Sequence, residues 1–424
     1  MNVLNNYKVE NILILLIPFL GIFSIFFLEL TLVYISFSFL YRSFKNKNFY
    51  YFKNKFVTFF TLFYCYILLR YIFIDKDIFF LSSSVIFYFR FGLYVIALYY
   101  FLDNIPKLEN HFLMSVLFSF TILIIDSFIQ FFLGQNILGF ELSGGNRVSS
   151  FFGEELILGS YLLKFLPFLY LLLIKNIYNQ KLYFFSILIL MLTEVVIFIS
   201  GERAAFIMMI ALTIYFLLIL KNLRTMRIIF FFISAAIVLY ISFNSSAIKE
   251  RIVNDTIREI TLSENVTNNQ IFDKKDLKYD FYLISPTHTN YFYTAFNMFK
   301  DNKIFGKGPK IYRYICDDPK FRINTWSCST HPHNYYIQIL AELGILGFLF
   351  VGIFYLYICG KILLLLTKKM TERNNYMSCI MCFFLINLWP ITSTGNFFNN
   401  WISIFLYLPF SFFLFANKKY QYSQ

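Results

Sequence analysis

Charge is scarce in this chain. Asp, Glu, Lys and Arg make up 14% of its 424 residues, against 58% hydrophobic and 22% aromatic side chains. A water-soluble domain of this length cannot hide so much apolar surface, and that class is excluded. The six cysteines lack any zinc-type spacing. No small-residue cleavage site follows the first apolar run, so that run is expected to stay as a membrane anchor. Strict alternation of polar and apolar residues is also missing, which excludes a transmembrane barrel.

What is present is a succession of apolar runs, each of roughly 20 residues, the length that crosses a bilayer as a helix. Residues 11–41 form the first, interrupted by Pro18, Gly21 and Glu29. At ~1.5 Å per residue this run is too long for one upright helix in a ~30 Å core, so two helices with a tight turn near Glu29 are expected. Further runs cover about 56–74, 80–102, 111–133, 155–174, 182–200, 203–220 and 227–243, and then 335–359, 376–394 and 399–416.

Charge placement orients them. With the first run split, one side collects Arg42, Lys45, Lys47, Lys53, Lys55, Lys107, Lys175, Lys181, Lys221, Arg224, Arg227, Lys361, Lys368, Lys369, Arg373, Lys418 and Lys419. The short loops of the other side hold little beyond Lys76 and Arg147. Positive residues favour the cytoplasm. The expected fold is an all-α polytopic membrane protein of about twelve transmembrane helices, with both termini cytoplasmic. Residues 1–243 form an N-terminal bundle of about nine helices. Residues 244–334 form one large loop between helices 9 and 10, periplasmic in a Gram-negative cell. Residues 335–424 supply about three more helices and a tail. The same asymmetry accounts for the net charge of +13 without a nucleic-acid partner.

The large loop is longer than a connector needs. It carries helical patches at 247–260 and 290–300 and turn signals at Ser285-Pro286 and Gly306-Lys307-Gly308-Pro309. Two of the chain's four histidines, His331 and His333, stand at its end, just before the next apolar run. Imidazole titrates near neutral pH, so His333 is a candidate general base at the membrane boundary. Arg147, Arg203 and the intramembrane Arg90 run against the charge asymmetry. Guanidinium pairs bidentately with phosphate, and Arg203 lies at a helix N-terminus, where free N–H groups favour anions. Glu342 sits two turns into the helix after His333 and needs a partner, for which an arginine of the site is one candidate. Gly344 and Gly347 share a helix face and would admit a close backbone. Cys316 and Cys328 could pair if the loop faces an oxidising compartment.

His333-Asn334, nine residues, then Gly344-Ile-Leu-Gly347 resembles the signature of the O-antigen ligase and O-antigen polymerase family. Ile304-Phe-Gly-Lys-Gly-Pro309 resembles the family's P-I-F-G-x-G-P turn, and Ser200-Gly-Glu-Arg-Ala-Ala205 its S-G-S-R-G-A helix start. Residues 147–162 resemble its R-x-x-G-x-F segment. Glu202, Ser150 and Lys303 stand where the family has a small polar residue, a glycine and a proline. The resemblance implies a bacterial inner-membrane enzyme moving a glycan from an undecaprenyl diphosphate carrier, with inversion, at the periplasmic face. Arg203, with Arg147 and Arg90 as further candidates, would hold the diphosphate. His333 would activate a sugar hydroxyl, and Asn334, Glu342, His331, Gly344 and Gly347 would support it. The acceptor would be lipid A-core for a ligase, or a second carrier-linked glycan for a polymerase. No metal or other cofactor is implied. Arg251, His288 and Arg313 are weaker candidates. A polysaccharide transporter or flippase is the alternative of a different class, although no inverted repeat is evident.

Overall fold

The computed structural model describes residues 7–74, 80–144, 146–245, 250, 254, 286–324, 327–369 and 371–421. Arg251, Lys76, Gly145 and the predicted patch at 247–260 lie outside these residues, apart from Glu250 and Asn254. The described chain is helical, with two isolated bridges, Gln135–Glu141 and Ser143–Arg147, as its strand-like pairings.

The first apolar run is two helices, α1 (Lys8–Phe23) and α2 (Ile25–Lys45). The break falls at Ser24, not near Glu29. Ser24 takes an extended backbone and its hydroxyl accepts the Phe27 N–H, which starts the second helix. Glu29 is thereby one turn inside α2. Then follow α3 (Lys55–Ile72), a 3₁₀ segment Phe80–Tyr88 running into α4 (Phe89–Asn104), α5 (Leu108–Leu133), α6 (Leu158–Lys175), α7 (Gln180–Ile199), α8 (Arg203–Ile219) and α9 (Arg224–Asn244). The described part of the large loop holds α10 (Pro286–Asp301) and the single turn α11 (Tyr312–Ile315). The chain closes with α12 (Tyr335–Thr367), α13 (Glu372–Asn387) and α14 (Asn400–Lys419).

Among the described residues, nine helices are long and apolar enough to cross a membrane. The protein is an all-α polytopic membrane protein. Three other helices in predicted apolar runs are shorter: α1 and α13 have 16 residues and α8 has 17. Aromatic rings fill the seams. Phe112, Phe168 and Phe412 pack together where α5, α6 and α14 meet.

Arg227 corrects the charge map. It is not a solvated loop cation. Its side chain is 2% exposed, paired with Glu194 of α7, and it also reaches Tyr170 and Thr213. A guanidinium removed from water needs such a set of acceptors, and here they tie α9, a helix with few other buried residues, to the bundle.

Candidate active site

The site begins with a broken helix. Gly344 has φ +66°, ψ −167° in the middle of α12, so the helical hydrogen bonds stop there. The turn at 303–310 replaces them. Lys307 and Gly308 donate their N–H groups to the Ala341 and Glu342 carbonyls at 2.9 and 2.8 Å, and Ile345 donates to the Lys303 carbonyl at 2.9 Å. A Cβ on Gly344 would lie 2.3 Å from the Ile304 carbonyl oxygen, and one on Gly306 would meet the 342–344 backbone at about 2.5 Å. Only glycine satisfies both the conformation and the approach. The close backbone expected at Gly344 is present. Gly347 differs from expectation: a Cβ there would strike Leu343 of its own chain at 2.2 Å. The break removes the shared face that a continuous helix would have given the two glycines.

Neighbouring groups hold this junction. From α3, Arg70 donates to the carbonyls of Phe305 and Gly306 at 2.7 and 2.9 Å, and Tyr66 to that of Leu343 at 2.5 Å. Glu342, 1% exposed, does not pair with an arginine. Its carboxylate accepts the backbone N–H groups of Lys310 and Tyr312 at 3.0 and 2.9 Å and the Gln338 amide at 3.1 Å. Two otherwise orphaned amides in the turn are a better match for two carboxylate oxygens than one distant side chain.

Asn334 starts α12. Its side-chain oxygen accepts the N–H groups of Tyr336 and Ile337, and its amide donates to the Pro390 carbonyl at 2.7 Å. It therefore caps the helix and ties it to the 388–399 loop. His333, one residue earlier, has φ +56°, an unfavourable backbone for a residue with a Cβ. The Thr394 N–H bonds its carbonyl at 2.8 Å. Its ring lies near-parallel to Tyr291 with centroids 5.5 Å apart, and 4.0 and 5.1 Å from the rings of His331 and His288. Its Nε2 is 3.4 Å from Ser329 Oγ. His331 is fixed differently. Its Nε2 faces the Thr394 carbonyl at 3.2 Å, which can only accept, so Nε2 carries the proton and Nδ1 receives the Thr330 hydroxyl at 2.9 Å.

Burial first, and then the neighbouring imidazoles, lower His333 to about 3. Burial likewise lowers His331 to about 4. Both rings are neutral at physiological pH, and a neutral imidazole can accept a proton. Cys316 and Cys328 form a disulfide with Cα atoms 5.1 Å apart. It joins the end of α11 to the strand of chain that leads into Ser329 and His333.

The arginines divide. Arg147 Nε donates to the Ser200 carbonyl at 2.9 Å, which sets it against the 200–202 hairpin that opens α8 with Arg203. Glu202 faces the N-terminus of α6, accepting from the N–H groups of Gly159 and Ser160 at 2.6 and 3.0 Å. Burial raises its carboxyl, while these bonds and nearby Arg147 oppose the rise. Ser150, where the family has glycine, has φ +52° and is held by its hydroxyl on Asp126 at 2.5 Å. Arg90 is elsewhere. It is the second residue of α4, 3.5 Å from Glu29, and it lines a pocket with Lys310. Arg147 and Arg203 thus share one hairpin, His331 and His333 share the 394 contact, and Arg90 belongs to a third place. Sequence reasoning missed Lys310, Arg70, Tyr291 and Thr394. Lys310 directly follows the Gly-Lys-Gly-Pro turn, and Arg70 ends an apolar run, so a faint signal existed for those two.

Compared with curated proteins, the chain matches none. The family model described as O-antigen ligase matches residues 186–352. That span includes Arg203, His331, His333, Asn334, Glu342, Gly344 and Gly347 and leaves out Arg90 and Arg147. Through residues 186–352, less than half of its length, the chain is similar to the O-antigen ligase family of membrane proteins.

Proposed function

We propose that this protein transfers a glycan from an undecaprenyl diphosphate carrier to a sugar hydroxyl, at the periplasmic face of a bacterial inner membrane. The observation that carries this reading is His333: a neutral, ring-packed imidazole in a strained backbone, held at a helix start whose own break is locked by the 303–310 turn. His333 takes the hydroxyl proton as the oxygen attacks the anomeric carbon. The bond from that carbon to the diphosphate breaks, and the configuration inverts. Arg203, at the α8 N-terminus, and Arg147 receive the departing diphosphate. Its negative charge near the imidazole offsets the burial that depresses His333 and raises its basicity as the reaction proceeds. Glu342, Asn334 and His331 position rather than react, and no metal enters the scheme.

The ligase form, with lipid A-core as acceptor, agrees with the description of the matching family model. The polymerase form would take a second carrier-linked glycan as acceptor. The test is His333→Ala at normal expression, read on a lipopolysaccharide gel. Loss of a ligase leaves bare core, and loss of a polymerase leaves core with one repeat unit. Unchanged surface glycan would sink the enzymatic assignment.

A further inference from the structure

The backbone of His333 is pinned, but most of the contacts on its ring do not tell the two nitrogens apart. The Thr394 N–H bonds its carbonyl at 2.8 Å, and the ring lies near-parallel to Tyr291 with centroids 5.5 Å apart. A half-turn about Cβ–Cγ returns an imidazole to the same plane, so stacking alone permits both orientations. Each orientation has two neutral tautomers. A general base needs one of these four states, with a free nitrogen aimed at the substrate and the other held by a third group.

Ser329 supplies that third group. Its Oγ lies 3.4 Å from His333 Nε2, and among the described residues no other side chain hydrogen-bonds this ring. His331 and His288 meet it ring to ring, and both nitrogens of His331 are committed to Thr394 and Thr330. With the Nε2–H donated to Ser329, Nδ1 keeps its lone pair and is the nitrogen that can take a proton.

A covalent strap holds Ser329. The preceding residue, Cys328, is bonded to Cys316 with Cα atoms 5.1 Å apart. Cys316 is buried and ends α11, donating its N–H to the Tyr312 carbonyl. Tyr312 is tied in turn by its N–H to Glu342, beside the α12 break, and by its hydroxyl to the Ser327 carbonyl at 3.2 Å. Both cysteines join a small core that includes Ala295 and Met298 of α10 and Ala341 of α12. Glu342, α11, the disulfide and Ser329 thus form one series of links from the locked break to the imidazole.

We propose that Ser329 is the positioning residue of His333, selecting its Nε2–H tautomer, and that the Cys316–Cys328 disulfide holds Ser329 in place to do so. The purpose of this arrangement rests on the glycan-transfer reading. His333 Nδ1 accepts the proton of the attacking hydroxyl while Nε2 keeps its own. The imidazolium then returns one proton to water, and the disulfide stays oxidised throughout.

Nitrogen NMR of the full-length chain in detergent, labelled at its four histidines, tests the proposal. Burial keeps His333 neutral at pH 7, so its nitrogens report tautomer rather than charge. Wild type is expected to show His333 as a single Nε2–H tautomer. Ser329→Ala averages its two nitrogen signals, and Ser329→Thr, which keeps the hydroxyl, restores them. Cys316→Ser with Cys328→Ser reproduces the Ser329→Ala spectrum. Unmoved His111 and His331 signals certify the fold of each variant. In cells, the initial rate of surface-glycan appearance falls about fourfold in Ser329→Ala, one productive state remaining of four, and recovers in Ser329→Thr. His333 signals indifferent to Ser329→Ala overturn the proposal. So does a wild-type rate in Ser329→Ala where His333→Ala abolishes transfer. Signals unchanged in the double cysteine variant overturn the part given to the disulfide, and His331 signals that move with those of His333 make it a general staple instead. Averaged His333 signals in Ser329→Ala, with surface glycan unchanged by His333→Ala, leave Ser329 as the tautomer-setting partner and sink the glycan-transfer reading.

Discussion

At the end of the bundle away from His333, carboxylates meet cations. Glu10 pairs with Arg42 at 2.8 Å, Asp103 with Lys418 at 2.5 Å, and Glu109 with both Lys175 and Lys419 at 2.8 and 3.2 Å. At the His333 end the buried carboxylates turn to backbone amides and small polar groups instead. Asp126 accepts from Ile137 and Asn136, Glu202 from Gly159 and Ser160, and Glu342 from Lys310 and Tyr312. The first arrangement neutralises lysines and arginines. The second fixes irregular backbone: the 136–140 turn, the start of α6 and the 303–312 turn. The proposed diphosphate site at that end gains when nearby acids serve as staples of the backbone rather than as counter-ions.

Four substitutions or conditions press on this contrast. Gly344→Ala carries the largest expected effect. The new Cβ meets backbone at a positive φ, and a loss of about 3 kcal/mol or more is expected together with complete loss of transfer. A thermal melt in detergent, beside the gel assay, reads both. Glu342→Ala comes next. It orphans two turn amides, each costing about 1–3 kcal/mol, and it should open the turn to trypsin at Lys307 and Lys310. Trypsin resistance equal to wild type would mean the carboxylate is no staple.

The pH response is intermediate. His333 and His331 are depressed in the folded protein, so the unfolded chain binds protons that the folded one refuses. Their contribution is intact above pH ~6.5 and is lost as pH falls towards the lowered values of about 3 and 4. Melting temperature should therefore drop from pH 7 to pH 5, and His333→Gln should flatten that slope. The smallest effect belongs to the other end. Lys418→Gln breaks a partly exposed pair worth up to about 1 kcal/mol and should leave transfer unchanged.

The sequence exposed the apolar runs, the Gly-Lys-Gly-Pro turn and the histidines because each is a local pattern. It also suggested that a backbone passes close to Gly344. It misplaced the first break, since Glu29 looked like the interruption while the cap at Ser24 carried no charge to draw notice. It read Arg227 as a loop cation because its acceptors, Glu194, Tyr170 and Thr213, come from three other helices. It offered an arginine as one candidate partner for Glu342 because a carboxylate in an apolar run advertises a charge, not the two amides that satisfy it.

Composition and spacing alone determined that this chain is helical, crosses a membrane and carries His333 before a helix with a glycine pair. Those properties follow from hydrophobic length and from residues whose backbone preferences act within a few positions. Tertiary structure decided how the cations are grouped: Arg147 with the hairpin of Arg203, and Arg90 with Lys310, 220 positions away in sequence. Electrostatic partners are chosen by distance through space, and only the packing of α3, α4, α12 and α14 sets those distances.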